Sequence, residues 1–332
     1  MGEALLNVRN LSVRFPMKQR SVFHKREYLY AVDGVSFDVQ PGEALALVGE
    51  SGSGKTTTAL AVARLVAAHA GEVRLGGHDL LTLEGADLRA ARSRFQFIFQ
   101  DPYSSLNPRL RARDIVAEPL KSLGNMAVEG RRGVVDDLFK AVGLRPEQQN
   151  LFPHQFSGGQ RQRIGVARAL APKPDLIICD EPVSALDVAV QAQILNLLRK
   201  LQAERGLTYL FISHDLGVVQ HMCDHIAVMY MGKIVEFSDR LSLFNNPLHP
   251  YTRALLSAVP TVDPERRAKT KRILIPGDPP DPVNPPPGCR FASRCPVAKP
   301  ECKASEPLLR EVKPGQKVAC HLVGEDAVSP LA

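Results

Sequence analysis

The 332-residue chain has no apolar run long enough to cross a bilayer, which excludes a membrane-spanning helix as its anchor. The opening "MGEALLNVRN" has an early acid and no apolar core, so no secretory leader is expected. Leu6 stands where N-myristoylation wants Ser or Thr, so no acyl anchor is expected either. A chain with these features is expected in the cytosol, where structural disulfides are rare. Aromatic residues make up only 6% and form no RNA-binding pattern, so the net charge of +7 is read as solubility or attraction to an anionic membrane face, with no nucleic-acid partner. There is no internal repeat, and the length allows one large domain or two. Cysteine is scarce and uneven: four of six lie in the tail, at Cys289, Cys295, Cys302 and Cys320. None of their gaps is the two-residue spacing of zinc ribbons, and the pattern is not a ferredoxin one.

What the chain does contain is a phosphate-binding loop. In "EALALVGESGSGKTTTALAVARLVAA" the apolar Ala44–Val48 predicts a buried strand, and the residues from Lys55 on predict a helix. Between them Gly49, Ser51, Gly52, Ser53, Gly54, Lys55, Thr56 and Thr57 carry G-x-x-x-x-G-K-[ST]. Glycines let backbone N–H groups wrap phosphate oxygens, and the helix N-terminus adds a favourable dipole. Lys55 supplies charge to the outer phosphates, and the Thr56 hydroxyl suits Mg²⁺. A dinucleotide loop is excluded because the third glycine of G-x-G-x-x-G is missing. The expected ligand is a nucleoside triphosphate.

A second buried strand ends in an acidic pair within "DLIICDEPVSALD". Asp180 is placed to share Mg²⁺ with Thr56, and Glu181 to polarise a water for in-line attack on the γ-phosphate. Between these stretches "FSGGQRQRIGVARAL" opens a further helix with Ser157, Gly158, Gly159 and Gln160, a second anion-binding end.

"FSGGQ", "CDEP", "SALD" and "FISHD", in that order after the glycine-rich loop, resemble the ATP-binding cassette (ABC) ATPases. That resemblance implies a P-loop NTPase α/β core with an antiparallel β-subdomain and an inserted helical subdomain. It further implies that two cassettes pair head to tail, each nucleotide lying between one chain's loop and the other's signature, Ser157 to Gln160. Phe156 replaces the commoner Leu before the signature. Gln100 in "FIFQDP" matches the Q-loop, which also meets Mg²⁺. Asp187 matches the D-loop and His214 the switch histidine. For stacking on adenine, Phe15 in "LSVRFP" is favoured over Tyr28 and Tyr30, which belong to the insertion "MKQRSVFHKREYLY".

"FQDPYSSLNPRLRARDIVAEPL" and "HPYTRALLSAVP" narrow the resemblance to ATPase subunits of bacterial oligopeptide/dipeptide importers, and to the second of their two paired cassettes. The implied partners are a second, similar ATPase in a heterodimer, two membrane permeases and an extracytoplasmic binding protein. The implied place is peripheral, on the cytoplasmic face of the plasma membrane. Nickel, glutathione and oligosaccharide importers share the architecture, so the solute stays open. A soluble ABC ATPase acting on nucleic acid or ribosomes would need tandem cassettes or a coiled-coil insertion, and a degenerate regulatory cassette would have lost Lys55, Glu181 or His214. The expected organisation is a nucleotide-binding core over residues 1–86 and 161–245, a helical subdomain over 87–160 and a C-terminal extension over 246–332.

In that extension "IPGDPPDPVNPPPG" predicts a stiff linker delivering the four cysteines. Spacing leaves a metal site and unligated thiols open; His321 is a possible substitute ligand. The importer resemblance implies a structural [4Fe–4S] cluster, with Zn²⁺ as the alternative. Such a staple is expected to replace a core that the segment is too short to build, and to pin the tail against a partner cassette. Cys179 and Cys223 are read as small apolar residues.

Overall fold

The computed structural model describes residues 3–17, 26–123, 128–259 and 272–324. The N-terminal part holds β1 (Leu6–Pro16), β2 (Tyr28–Val39), β3 (Ala44–Val48), α1 (Lys55–Val62), β4 (Ala70–Leu75), β5 (His78–Asp79), α2 (Gly85–Arg94) and β6 (Phe95–Ile98). The middle holds α3 (Ala112–Ser122), α4 (Val128–Ala141), α5 (Gly158–Leu170), β7 (Leu176–Asp180), α6 (Val188–Arg205) and β8 (Thr208–Ser213). There follow α7 (Leu216–Met222), β9 (His225–Tyr230), β10 (Lys233–Asp239), α8 (Arg240–Asn245), α9 (Pro250–Ser257), α10 (Pro300–Ala304), β11 (Arg310–Lys313) and β12 (Gln316–Val318). Part of the expected insertion after β1, residues 18–25, lies outside the described residues. Among the described residues, no helix is long and apolar enough to cross a membrane.

The chain divides into two compact units. The first comprises Met1–Leu6, Asp38–Ala44 and Arg74–Ile212. Its sheet runs β8–β7–β6, all parallel, with Leu176 opposite both Phe95 and Thr208. The runs "LIICD" and "TYLFIS" are buried at every position, as parallel strands covered on both faces must be. Helices α3, α4 and α5 pack on one another, α3 contributing Ile115, Val116 and Leu120. The stretch 87–160 therefore supplies helices, but it also supplies the sheet strand β6, and its last residues open α5.

The second unit comprises Asn7–Phe37, Leu45–Val73 and Ser213–Ala332. Strand β1 buries Leu6 and Val8, then Leu11 and Val13. The alternation skips one position between the pairs, at Asn10, whose φ of 47° is left-handed. The apolar β3 lies parallel to β9, Leu45 opposite His225. A hairpin closes about Met231–Gly232: β9 and β10 are antiparallel, and Tyr230 faces Lys233 across the two turn residues. Both turn residues have positive φ, 45° and 78°, as a type I′ turn requires. On the far side of β10 comes β12, then β11, with Glu236 opposite Val318. Glu236 is fully buried, and its carboxylate accepts from the N–H groups of Leu248 and His249, each at 2.8 Å. Burial pushes its pKa up, and the hydrogen bonds it accepts oppose that shift.

Candidate functional site

In the second unit the segment 49–54 turns tightly between β3 and α1. Gly49 and Gly54 have φ values of 152° and 100°, and each passes so close to a carbonyl that a Cβ would run into it: Met229 O for Gly49 and Ala31 O for Gly54. Lys55 is buried, and its Nζ donates to the carbonyls of Gly49 and Glu50, both at 2.9 Å. The ammonium thus lies inside the turn, against its backbone carbonyls. Ser53 is also buried, whereas Ser51, Gly52 and Thr56 are exposed and Thr57 is half-buried. His214 follows β8 and is exposed. Phe15, near the end of β1, is 39% exposed, while the guanidinium of Arg14 covers the Tyr28 ring 4.2 Å from its centre.

In the first unit, Asp180 ends β7 and is buried. Glu181 follows in a left-handed conformation, φ 45°, at a cost of about 1–2 kcal/mol for a residue with a Cβ. Its N–H donates to Ile212 O at 2.9 Å, which fixes the bend. The bend turns the carboxylate toward Gln100, whose Nε2 donates to Glu181 Oε2 at 2.8 Å. Two of the predicted residues, 81 positions apart, are thus brought into direct contact.

Helix α5 begins with a reciprocal capping box. Ser157 Oγ accepts from Gln160 N at 3.4 Å, and Gln160 Oε1 accepts from Ser157 N at 3.0 Å. A Cβ on Gly159 would run into Val190 Cγ1 of α6. The Phe156 side chain is buried. A cavity of about 900 Å³ opens here, lined by Ser157, Gly159, Gln160, Arg163, Val190 and Gln193 among others. Asp187 caps α6, its Oδ1 accepting from Val190 N at 3.0 Å.

The tail corrects one expectation. It builds a small core, in which Val318, Cys320 and Val323 pack with Leu248, and it adds β12 to β10, so no metal has to stand in for packing. None of the four cysteines is in a disulfide. Among the described residues no group of three or more His, Cys, Asp or Glu is arranged to hold a metal ion. The four do lie within electrostatic reach of each other: burial, then the neighbouring Cys320, Cys302 and Cys295, push Cys289 up to about 11. Gly288 passes the Cys302 backbone so closely that no Cβ fits, and Cys289 N donates to Cys302 O at 2.7 Å. His321 is engaged with Ser305 O at 2.9 Å. Cys179 and Cys223 are fully buried, as small apolar residues would be.

Sequence reading missed the side chains that surround the loop. Glu50 N donates to Tyr251 Oη at 2.8 Å, and Arg294 Nη1 donates to Glu50 Oε2 at 2.9 Å. The available signal was two arginines, Arg290 and Arg294, spaced among the tail cysteines.

Residues 32–184 match the family described as "ABC transporter", and residues 235–302 match "Oligopeptide/dipeptide transporter, C-terminal region". The chain is 52% identical over 300 residues to YkfD of Bacillus subtilis (strain 168), covering 90% of this chain and 91% of that one. It is 48% identical over 321 residues to the oligopeptide transport ATP-binding protein AppF of the same organism, covering 96% and 98%. Among solved structures it is similar to the ATP-binding cassette MJ0796 in a dimeric post-hydrolysis state bound to ADP and Pi. There the TM-score is 0.63 at 31% identity, covering 71% of this chain and 98% of that one.

Proposed function

The chain belongs to the ABC transporter family of ATPases, and from that premise we propose that it powers the import of oligopeptides or dipeptides through a membrane complex. The observation that carries this reading is the pairing of a complete cassette with an extension matching the oligopeptide/dipeptide transporter C-terminal region over residues 235–302.

The roles follow from the chemistry of each residue. Gly49, Ser51, Gly52, Ser53, Gly54 and Thr57 wrap the phosphates with N–H and hydroxyl donors, Lys55 meets the outer phosphates, and Phe15 stacks on the base. Mg²⁺, when bound, neutralises phosphate charge; the Thr56 hydroxyl, the Asp180 carboxylate and the Gln100 amide are hard oxygen donors of the kind it takes. Glu181 accepts the proton of the attacking water, Gln100 orients that carboxylate, and His214 attends the γ-phosphate. Ser157, Gly158, Gly159, Gln160 and Asp187 complete a partner's nucleotide site, with the cavity beside α5 as the room for it. The organisation that goes with these roles is the core over 1–86 and 161–245, the helical subdomain over 87–160 and the extension over 246–332.

The complex comprises a second, paralogous ATPase, two permeases and an extracytoplasmic binding protein, with this chain peripheral on the cytoplasmic face. Reassembled in vesicles, it is expected to hydrolyse ATP faster when the binding protein carries an oligopeptide, and to accumulate that peptide. Stimulation by nickel, glutathione or an oligosaccharide, with none by peptides, would keep the ATPase and replace the cargo.

The finer cofactor reading is that the tail thiols close on a [4Fe–4S] cluster. Its support is a donor set of four thiols, Cys289, Cys295, Cys302 and Cys320, already within mutual electrostatic reach. About four irons per chain in anaerobically purified protein is the expected result. About one zinc would replace the cluster with a Zn²⁺ staple, and neither metal would overturn the site.

A further inference from the structure

The segment around the first tail cysteines holds two arginines that are only 8% exposed each. Burying a guanidinium is costly unless its donors are satisfied by matched acceptors. Arg294 Nη1 donates to Glu50 Oε2 at 2.9 Å and to Tyr230 Oη at 3.3 Å, and its Nε donates to Pro276 O at 3.3 Å. Arg290 donates to the Met231 carbonyl and to Asp33 Oδ2. Neither arginine is at the surface, and both reach more than 240 positions back along the chain, to Glu50 and to Asp33.

The far ends of these contacts bracket one short loop. Glu50 is held at its carboxylate by Arg294 and at its N–H by Tyr251 Oη, and its own carbonyl receives Lys55 Nζ. On the other flank Ser53 O accepts from Gly232 N at 2.9 Å, and Gly232 O accepts from Asp33 N at 2.9 Å. Asp33 in turn takes Arg290 and, at 3.2 Å, Lys233. The rings of Tyr230, Tyr251 and Phe291 pack together with centroids 4.7 to 5.4 Å apart, which stiffens the base from which both tyrosine hydroxyls project.

We propose that the C-terminal extension positions the phosphate-binding loop: Arg294 and Tyr251 set Glu50, and through it the carbonyls that hold Lys55, while Arg290 sets the Met231–Gly232 turn that holds Ser53. These are positioning residues: each acts through the hydrogen bonds it makes to the loop or to the turn beside it. The inference rests on the assignment of Lys55 and its loop to ATP.

The test uses the assembled transporter, with kcat and KM for ATP measured beside the melting temperature of the purified chain. Arg294→Met and Glu50→Ala are each expected to lower kcat/KM for ATP about tenfold or more, as a misplaced reacting group does. Their double variant is expected to lose no more than either alone, because both cut one contact. Arg294→Lys keeps the charge and is expected to restore part of the loss. Should Arg294→Met fail to fold, Tyr251→Phe removes only the hydroxyl acceptor, leaves the ring cluster, and is expected to raise KM for ATP. Variants with lowered melting temperature but unchanged kcat and KM would overturn the positioning role and leave the tail as mere packing. Wild-type activity that survives Lys55→Met would instead overturn the assignment of the loop to ATP.

Discussion

Glu181→Gln is expected to leave ATP affinity within about twofold of wild type while kcat falls by about 10²–10⁴, the usual contribution of a positioned base. The substitution is nearly isosteric, and the contact made by Gln100 survives it. Gln100 Nε2 donates to a Glu181 oxygen at 2.8 Å, and the new amide can offer its own oxygen in the same place. The left-handed bend at residue 181 and its hydrogen bond to Ile212 O depend on backbone alone. What disappears is the capacity to accept a proton from water. Nucleotide binding to the variant, read beside ATP turnover, separates these effects. Undiminished hydrolysis would remove Glu181 from the chemistry, and a parallel loss of affinity would make it a binding residue.

The parts of the site legible in the sequence are those that one short stretch builds by itself. The turn 49–54 needs its glycines within six positions, the Ser157–Gln160 capping box closes over three, and the buried strand before Asp180 is a continuous apolar run. Each of these is a local pattern with a local cause. The hairpin at Met231–Gly232 is legible for the same reason, since a two-residue turn between apolar runs leaves few alternatives.

The support of the loop was illegible because it is made at long range by residues with ordinary local readings. Arg294 and Glu50 are 244 positions apart, and Arg290 and Asp33 are 257 apart. Tyr251 reads as an apolar position of α9; only the fold shows that its hydroxyl meets the N–H of Glu50. The proline-dense linker pointed to a tail that needs a metal for want of a core. The structure gives the tail a β-strand partner in β10 and a buried acid, Glu236, that ties β10 to the start of α9. Cysteine count speaks to donor chemistry and says nothing of packing.

Gly54→Ala tests how far the loop tolerates displacement, and Gly52→Ala is its control. Both glycines have left-handed φ, 100° and 79°, so each substitution carries the strain of a Cβ in that region, about 1–2 kcal/mol. They differ in their surroundings. A Cβ at Gly52 meets nothing within 4 Å, whereas a Cβ at Gly54 runs into the Ala31 carbonyl oxygen, a backbone atom of β2 that has no rotamer with which to yield. Gly54 is also the N-cap of α1, and its carbonyl accepts from both the N–H and the hydroxyl of Thr58 at 2.9 Å. Relief of the clash therefore moves the start of the helix, and with it Lys55. The expected cost is about 3 kcal/mol, which as lost affinity is a hundredfold or more. Gly52→Ala is expected to weaken binding by about tenfold or less, the strain alone. Equal effects of the two substitutions on nucleotide affinity would mean that strain, and not the approach of β2, sets the geometry of the loop.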